Sequence, residues 1–131
     1  MRLRSKIHTY AGEELWIDQN NKKLYIYDKE TMTMKEYKYN YVYQITNLLD
    51  GKIYIGKHST DDLDDGYMGS GSKLRRAQKR DGIENFSKKI LRFCDTLDDA
   101  LTYEAELVDE SFIKRYDTYN SILGGQNNRR Y

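Results

Sequence analysis

Residues 41–56 read YVYQITNLLDGKIYIG. Apolar and aromatic positions alternate with polar ones on both sides of Asp50-Gly51, a dipeptide suited to the positive φ of a tight hairpin turn. Two strands follow, 41–48 and 52–56, paired antiparallel. Side chains alternate across a strand, so Tyr41 and Tyr43 share one face. Tyr54, on the partner strand with ten residues between it and Tyr43, is placed to meet Tyr43 across the pair. Aromatic pairs on sheets are usually packing, because tyrosine is a favoured strand residue. The pair alone assigns no chemistry.

The chain on either side completes a small α+β domain. Residues 59–72 (STDDLDDGYMGSGS) hold three glycines and four aspartates and keep no period, which predicts a loop. Ser72 is placed to cap a helix over 73–81, with Gly82 where a C-terminal glycine belongs. Residues 86–94 read as a third core strand. Asp95-Thr96 or Asp98 starts a second helix over about 98–116, whose apolar face is Leu101, Ala105, Val108 and Phe112. The order β-β-α-β-α makes a central three-stranded antiparallel sheet flanked by helices. Before it, residues 1–40 read as a β meander with strands at 15–17, 24–27 and 32–39, separated by Asp18-Gln19-Asn20-Asn21 and Asp28-Lys29-Glu30-Thr31. The organisation expected is an N-terminal β-rich extension over 1–40, a core domain over 41–125 and a basic tail over 126–131.

At 131 residues and 38% hydrophobic, the chain has room for one compact domain and little more. No stretch approaches the roughly 18 apolar residues of a membrane helix, and the N-terminus has no apolar run that acts as a signal, so a soluble cytoplasmic protein is expected. Cys94 is the single cysteine, which excludes an intrachain disulfide or a thiolate-rich zinc site. The 22 basic and 21 acidic residues leave a net charge of +1, yet the charges are segregated. Residues 69–92 carry eight basic residues against two acidic ones, while 93–111 carry seven acids and no base. Such segregation suits a protein that needs cations for a polyanion and carboxylates for a metal, or else simply a solvated surface.

Candidate chemistry is sparse. Advancing about 100° per residue puts Glu104 about 300° from Leu101, at the margin of the second helix's apolar face, whereas Glu106 points well away from it. One carboxylate with waters and phosphate oxygens is a normal way to hold Mg²⁺. Lys57 and His58 follow Gly56 where the strand is expected to end. On the first helix Lys73, Arg75, Arg76, Lys79 and Arg80 project onto one arc, suited to tracking a phosphate backbone. No HExxH, Walker loop, Gly-x-Ser-x-Gly or Cys/His cluster is present.

Tyr41-Val42-Tyr43 and Tyr54-Ile55-Gly56, then a basic helix, a strand, Glu104-Ala105-Glu106-Leu107-Val108 and Tyr119-Asn120, resemble in order the GIY-YIG nuclease family over about residues 41–125. YIGKHST, DDGYMGSGSKL and YNSILGG resemble most its small stand-alone phage and homing-type members. The resemblance implies a divalent-metal-dependent endonuclease, using Mg²⁺ or Mn²⁺, that hydrolyses phosphodiester bonds in double-stranded DNA. It implies that Tyr43 is the general base, that Tyr54 positions or activates water, that Glu104 rather than Glu106 is the metal ligand, and that Asn120 supports the site. A phenol of pKa near 10 is a poor base at neutral pH unless cations lower it, and Lys57, His58 and the metal are the candidates.

Two departures from the family pattern stand out. Tyr41 occupies a position where the first motif usually has glycine. The arginine that the family often places about eight residues after the second motif is replaced by the acidic stretch 61–65, leaving its role to His58 or Lys57, or to Arg75 or Arg76, with His58 favoured. The alternative is a catalytically silent nucleic-acid-binding module on the same fold. A homodimer would supply the two active sites that a double-strand break requires. Lys22 and Lys23 with Trp16, Tyr25 and Tyr27 are candidates for a DNA-facing ribbon or a dimer edge.

Overall fold

The computed structural model describes residues 3–8 and 14–126. It contains two compact units: the N-terminal strands up to Tyr39 with Thr60–Leu63, and Asn40–Ser59 with Asp64 onward. The expected tail over 126–131 lies outside the described residues except for Gln126. Among the described residues no helix is long and apolar enough to cross a membrane.

The first unit is a four-stranded antiparallel meander, β1 (Leu3–His8), β2 (Glu14–Asp18), β3 (Leu24–Asp28) and β4 (Thr33–Glu36), in that spatial order. The sequence does not predict β1, because charged residues interrupt its alternation. β4 is shorter than the 32–39 expected. Met32 takes a positive φ of 58°, which belongs to a turn, and Tyr39 already opens the next strand. Leu15 and Leu24 are buried. Trp16 faces Tyr25 across β2 and β3, and Tyr27 follows on the same face. Lys22, at φ 64°, and Lys23 are exposed in the intervening turn.

In the second unit β5 (Tyr39–Asn47) lies between β6 (Ile53–Thr60) and β7 (Phe86–Cys94). The central strand is buried on both faces. Tyr41, Tyr43 and Ile45 pack with Leu74 and Ala77 of α1 (Ser72–Asp81), while Val42 packs with Ile55, Ala100 of α2 (Leu97–Leu107), Val108 and Phe112 of α3 (Glu110–Ile113). Helices therefore cover opposite faces of the sheet. A bulge in β7 sets Val42 against Arg92 but Tyr43 against Ile90, so that Ile90 and Phe93 both reach the α1 face.

Several boundaries differ from the sequence reading. β6 continues past Gly56 to Thr60, so Lys57 and His58 are strand residues and the loop shrinks to 61–71. Ser72 lies inside α1, and Gly71 holds the N-cap position without a side-chain bond. Gly82, at φ 92°, ends that helix as expected. Thr96 caps α2, accepting from the Asp99 N–H. α2 stops at Leu107 because the Asp109 side chain accepts the Phe112 N–H and starts a new helix, a local bond that competes with helix continuation. The buried face is also rotated: Ala100, Tyr103, Leu107 and Val108 pack on the sheet, whereas Leu101 is half-buried and Ala105 exposed.

Leu74 is fully buried beneath Tyr41 and Tyr43. Leu74→Ala should lower stability by about 2–5 kcal/mol in urea unfolding, since a large side chain is removed from a packed site with little room to collapse.

Candidate active site

The outer edge of β6 leaves unpaired backbone groups, and the segment after α3 covers them. Ile53 N–H donates to the Asp117 carbonyl at 3.0 Å, and Tyr119 N–H donates to the Ile53 carbonyl at 2.8 Å, so Ile53 and Thr118 form a parallel bridge. Asn120 continues the ladder with its side chain. Its Oδ1 accepts from Ile55 N at 2.9 Å and its Nδ2 donates to Ile55 O at 2.7 Å. The Ile55 N–H and C=O fix which end of the carboxamide faces which group, and Thr118 Oγ1 lies 3.0 Å from both the same Oδ1 and the Ile53 carbonyl. Asn120 thereby holds the strand between Tyr54 and Gly56, a positioning role.

Beside this edge lies a cleft of about 440 Å³ lined by Tyr43, Tyr54, Lys57, Lys73, Glu104 and Asn120, with Gly124 and the residues that lead into α1. The Tyr43 and Tyr54 rings lie 6.3 Å apart, as their cross-strand placement predicts. Two glycines make room for them. A Cβ on Gly56 would lie 2.6 Å from Tyr43 Oη, and one on Gly71 would lie 2.6 Å from the Tyr54 ring. Ser70 and the Gly71 backbone lie beside the Tyr54 hydroxyl and act to lower its pKa. Burial, with nearby phenols, pushes Tyr43 well above its ordinary pKa, and burial also raises Tyr54.

Glu104 enters the cleft from α2. Gly125 N–H donates to its Oε1 at 3.0 Å. Burial raises its pKa, while the Gly125 N–H and the Lys57 charge oppose that rise. Gly124 and Gly125 can lie on α2 only without side chains: a Cβ on Gly124 would meet the Glu104 carbonyl at 2.6 Å, and Gly125 has φ 80° and would meet Ala105. Glu106 is exposed and lines a different pocket with Arg92 and Tyr103. Among the described residues no three His, Cys, Asp or Glu side chains converge as a metal cluster. The donor chemistry instead fits a hard cation held by one carboxylate, with water and phosphate oxygens completing its shell.

Five of the six expected catalytic residues, Tyr43, Tyr54, Lys57, Glu104 and Asn120, line this cleft. His58 does not. Its strand face points it to the α1 side, where Nε2 is 2.8 Å from Asp65 Oδ2 and its ring stacks on Tyr67. Of the expected nucleic-acid set, Lys73 lines the cleft, while Arg75, Arg76, Lys79 and Arg80 are exposed around the buried Leu74 and Ala77. Arg80 is paired with both oxygens of Asp81, at 2.9 and 2.7 Å.

Sequence reasoning misses Tyr67, the Ser70-Gly71 contact with Tyr54, and the role of Gly124-Gly125. The clustered glycines of GYMGSGS and ILGG are the available signal for a close backbone approach. It also misses Asn47, fully buried, whose Nδ2 donates to Asp81 Oδ2 at 2.9 Å and Tyr119 Oη at 3.0 Å, joining the hairpin, α1 and the segment that carries Asn120.

The profile of the GIY-YIG catalytic domain matches residues 39–120. Among curated proteins the chain is 51% identical over 96 residues to endonuclease segA of Enterobacteria phage T4, covering 73% of this chain and 43% of that protein. It is 56% identical over 86 residues to segB of the same phage, covering 66% and 39%, and 49% identical over 94 residues to segC, covering 72% and 48%; both are named as candidate endonucleases. The chain thus spans less than half the length of these relatives. No solved structure matches it.

Asn120→Ala strips the partners from two backbone groups of Ile55. The expected cost is about 1–3 kcal/mol per buried group left unsatisfied, read as a lower urea midpoint at unchanged slope.

Proposed function

The chain belongs to the GIY-YIG family, and on that premise we propose that it is a divalent-metal-dependent endonuclease that hydrolyses phosphodiester bonds in double-stranded DNA, of phage or homing type. The observation that carries this reading is the meeting, in one cleft, of two tyrosines on paired strands, a half-buried carboxylate from another helix and two lysines, Lys57 and Lys73. The name endonuclease borne by segA supports it.

Glu104 is the residue to hold Mg²⁺ or Mn²⁺. Gly125 fixes one of its oxygens and the carboxylate faces the cleft. A divalent cation there would neutralise a phosphate oxygen and the charge developing on the leaving group. Lys57 and Lys73 bind the phosphate and stabilise negative charge in the transition state, filling the place of the family's arginine. In this reading they take that role in place of His58, which is paired with Asp65. Tyr43 accepts the proton of the attacking water, and Tyr54, braced by Ser70 and Gly71, orients that water. Burial disfavours a free phenolate of Tyr43, so its own hydroxyl proton must leave as the water's proton arrives, and positive charge at the cleft would favour that loss.

The exposed basic arc of α1, Arg75, Arg76 and Lys79 beside Lys73, tracks the DNA backbone, with Arg80 contributing less because Asp81 neutralises it. Trp16, Tyr25 and Tyr27 on one face of the N-terminal sheet, with Lys22 and Lys23, are a second candidate DNA surface. A homodimer would place two such clefts on one duplex.

Incubation of supercoiled plasmid with Mg²⁺ or Mn²⁺ should yield nicked or linear product, and EDTA should abolish it. Glu104→Ala should abolish cleavage and Glu106→Ala should leave it intact. Plasmid binding without cleavage in either metal would instead select the silent binding module. In a second measurement, the slope of log Kd against log salt should shrink by about 1 for each of Arg75→Ala, Arg76→Ala and Lys79→Ala, because each removes roughly one released counterion.

A further inference from the structure

On the α1 face of the sheet, beyond the cleft, Tyr67 is held from several sides by residues to which the mechanism gives no other role. Its ring stacks on the His58 imidazole with centroids 3.6 Å apart and planes 1° from parallel. Its N–H donates to Asp65 Oδ1 at 3.0 Å, and the other oxygen of that carboxylate lies 2.8 Å from His58 Nε2. Its carbonyl accepts from Lys88 Nζ at 3.0 Å. Lys88, on β7, also donates to Tyr41 Oη at 2.6 Å, and Nζ lies 4.8 to 5.7 Å from the ring centroids of Tyr41, Tyr43 and Tyr67. Tyr41 in turn packs edge-on against His58, with centroids 5.7 Å apart. Ring plane and backbone are both fixed, and the Tyr67 hydroxyl meets the one on Tyr43. Tyr43 Oη donates to Tyr67 Oη at 3.3 Å, with the rings edge to face at 5.6 Å.

This contact decides which way the Tyr43 hydroxyl points. A phenol has one hydrogen and two acceptor sites. If the hydrogen points into the cleft, Tyr43 donates to the attacking water and opposes loss of the water's proton. If the hydrogen is bound elsewhere, the oxygen turns a lone pair toward the cleft that Tyr43 lines. Tyr43 is fully buried, and Gly56 leaves its oxygen only narrow clearance on the β6 side.

We propose that Tyr67 is a positioning residue of the active site, accepting the Tyr43 hydroxyl hydrogen so that Tyr43 offers a lone pair to the attacking water; as the water's proton reaches Tyr43 Oη, the hydrogen already held there passes to Tyr67 Oη and the hydroxyl hydrogen of the half-buried Tyr67 passes to solvent, so that neither phenol becomes cationic. The inference rests on the reading of Tyr43 as the base. It unites Tyr41, His58, Asp65 and Lys88 in one role. His58 and Asp65 hold Tyr67 from the strand and loop, and Lys88, hydrogen-bonded to Tyr41, holds its carbonyl. The acidic loop that stands where an arginine was expected thus supplies an anchor, and the tyrosine in place of the motif glycine supplies the acceptor that steers Lys88.

Tyr67→Phe removes only the hydroxyl and keeps the stack on His58. Full-length wild type, Tyr67→Phe and Tyr43→Phe are compared by single-turnover cleavage with Mg²⁺ and by DNA affinity in Ca²⁺. Tyr67→Phe should slow cleavage by about tenfold or more, the scale of a misoriented reacting group, with Kd within twofold of wild type. In metal-free protein the Tyr43 hydroxyl proton, followed by NMR and assigned by its loss in Tyr43→Phe, should exchange with water faster once Tyr67 is Phe. Cleavage at the wild-type rate, a loss confined to Kd, or unchanged hydroxyl exchange overturns the inference and leaves the reading of Tyr43 intact. A Tyr43→Phe variant that cuts as fast as wild type overturns that reading and the inference with it. Should Tyr67→Phe not fold, His58→Gln takes its place, removing the stacking ring while leaving both hydroxyls: slower cleavage and faster hydroxyl exchange at unchanged Kd support the proposal, and wild-type behaviour in either overturns it.

Discussion

The Asn120 carboxamide bonds both backbone groups of Ile55, and the assembly of the cleft depends on it. An edge strand presents free N–H and C=O groups that must be paired, covered or solvated. Here residues 117–120 pair with β6, and the side chain of Asn120 takes over where their backbone turns away. The same chain then returns across α2, where Gly124 N–H donates to the Val108 carbonyl at 2.9 Å and Gly125 N–H reaches Glu104. One edge closure thereby links the phenols on β5 and β6 to the carboxylate on α2, which lies on the opposite face of the sheet.

Two tyrosines in a buried sheet face are ordinarily core. What distinguishes Tyr43 and Tyr54 is that the backbone beside each is glycine. Gly56 and Gly71 leave space where any Cβ would press on a ring or hydroxyl, so the phenols pack tightly and still line a cleft. Burial makes them reluctant acids, while Lys57 and Lys73 border the cleft and Lys88 lies over the Tyr43 ring. The basic helix and the acidic segment are adjacent in sequence but cover opposite faces of one sheet, so that both charge types reach its edge without neutralising each other.

Local signals are legible in the sequence where the physics is local. The Asp50-Gly51 turn, the 86–94 strand, the glycine at 82 and the Thr96 cap all appear as expected. The errors lie where distant contacts compete with local preference. Continuous apolar spacing from Leu101 to Phe112 suggests one helix, but the Asp109 side chain breaks it and the sheet selects a face one residue away. Lys57 and His58 look like loop, so the sequence ends the strand at Gly56, yet pairing with the central strand carries them through. That same extension, with its alternation of side chains, sends Lys57 to the cleft and His58 to Tyr67.

The linear order of residues was by itself enough to determine the α+β class, the meeting of Tyr43 with Tyr54, the placing of Glu104 rather than Glu106 at the margin of the buried face and the membership in a family, because strand alternation, helical angle and motif spacing are properties of the chain. Only the tertiary structure decided that His58 leaves the cleft, that Lys73 joins it, that Asn120 acts through the Ile55 backbone and that Tyr67 meets Tyr43. Each of these depends on where one segment lands on another, and that position is set by packing, edge pairing and backbone clearance between residues far apart in sequence.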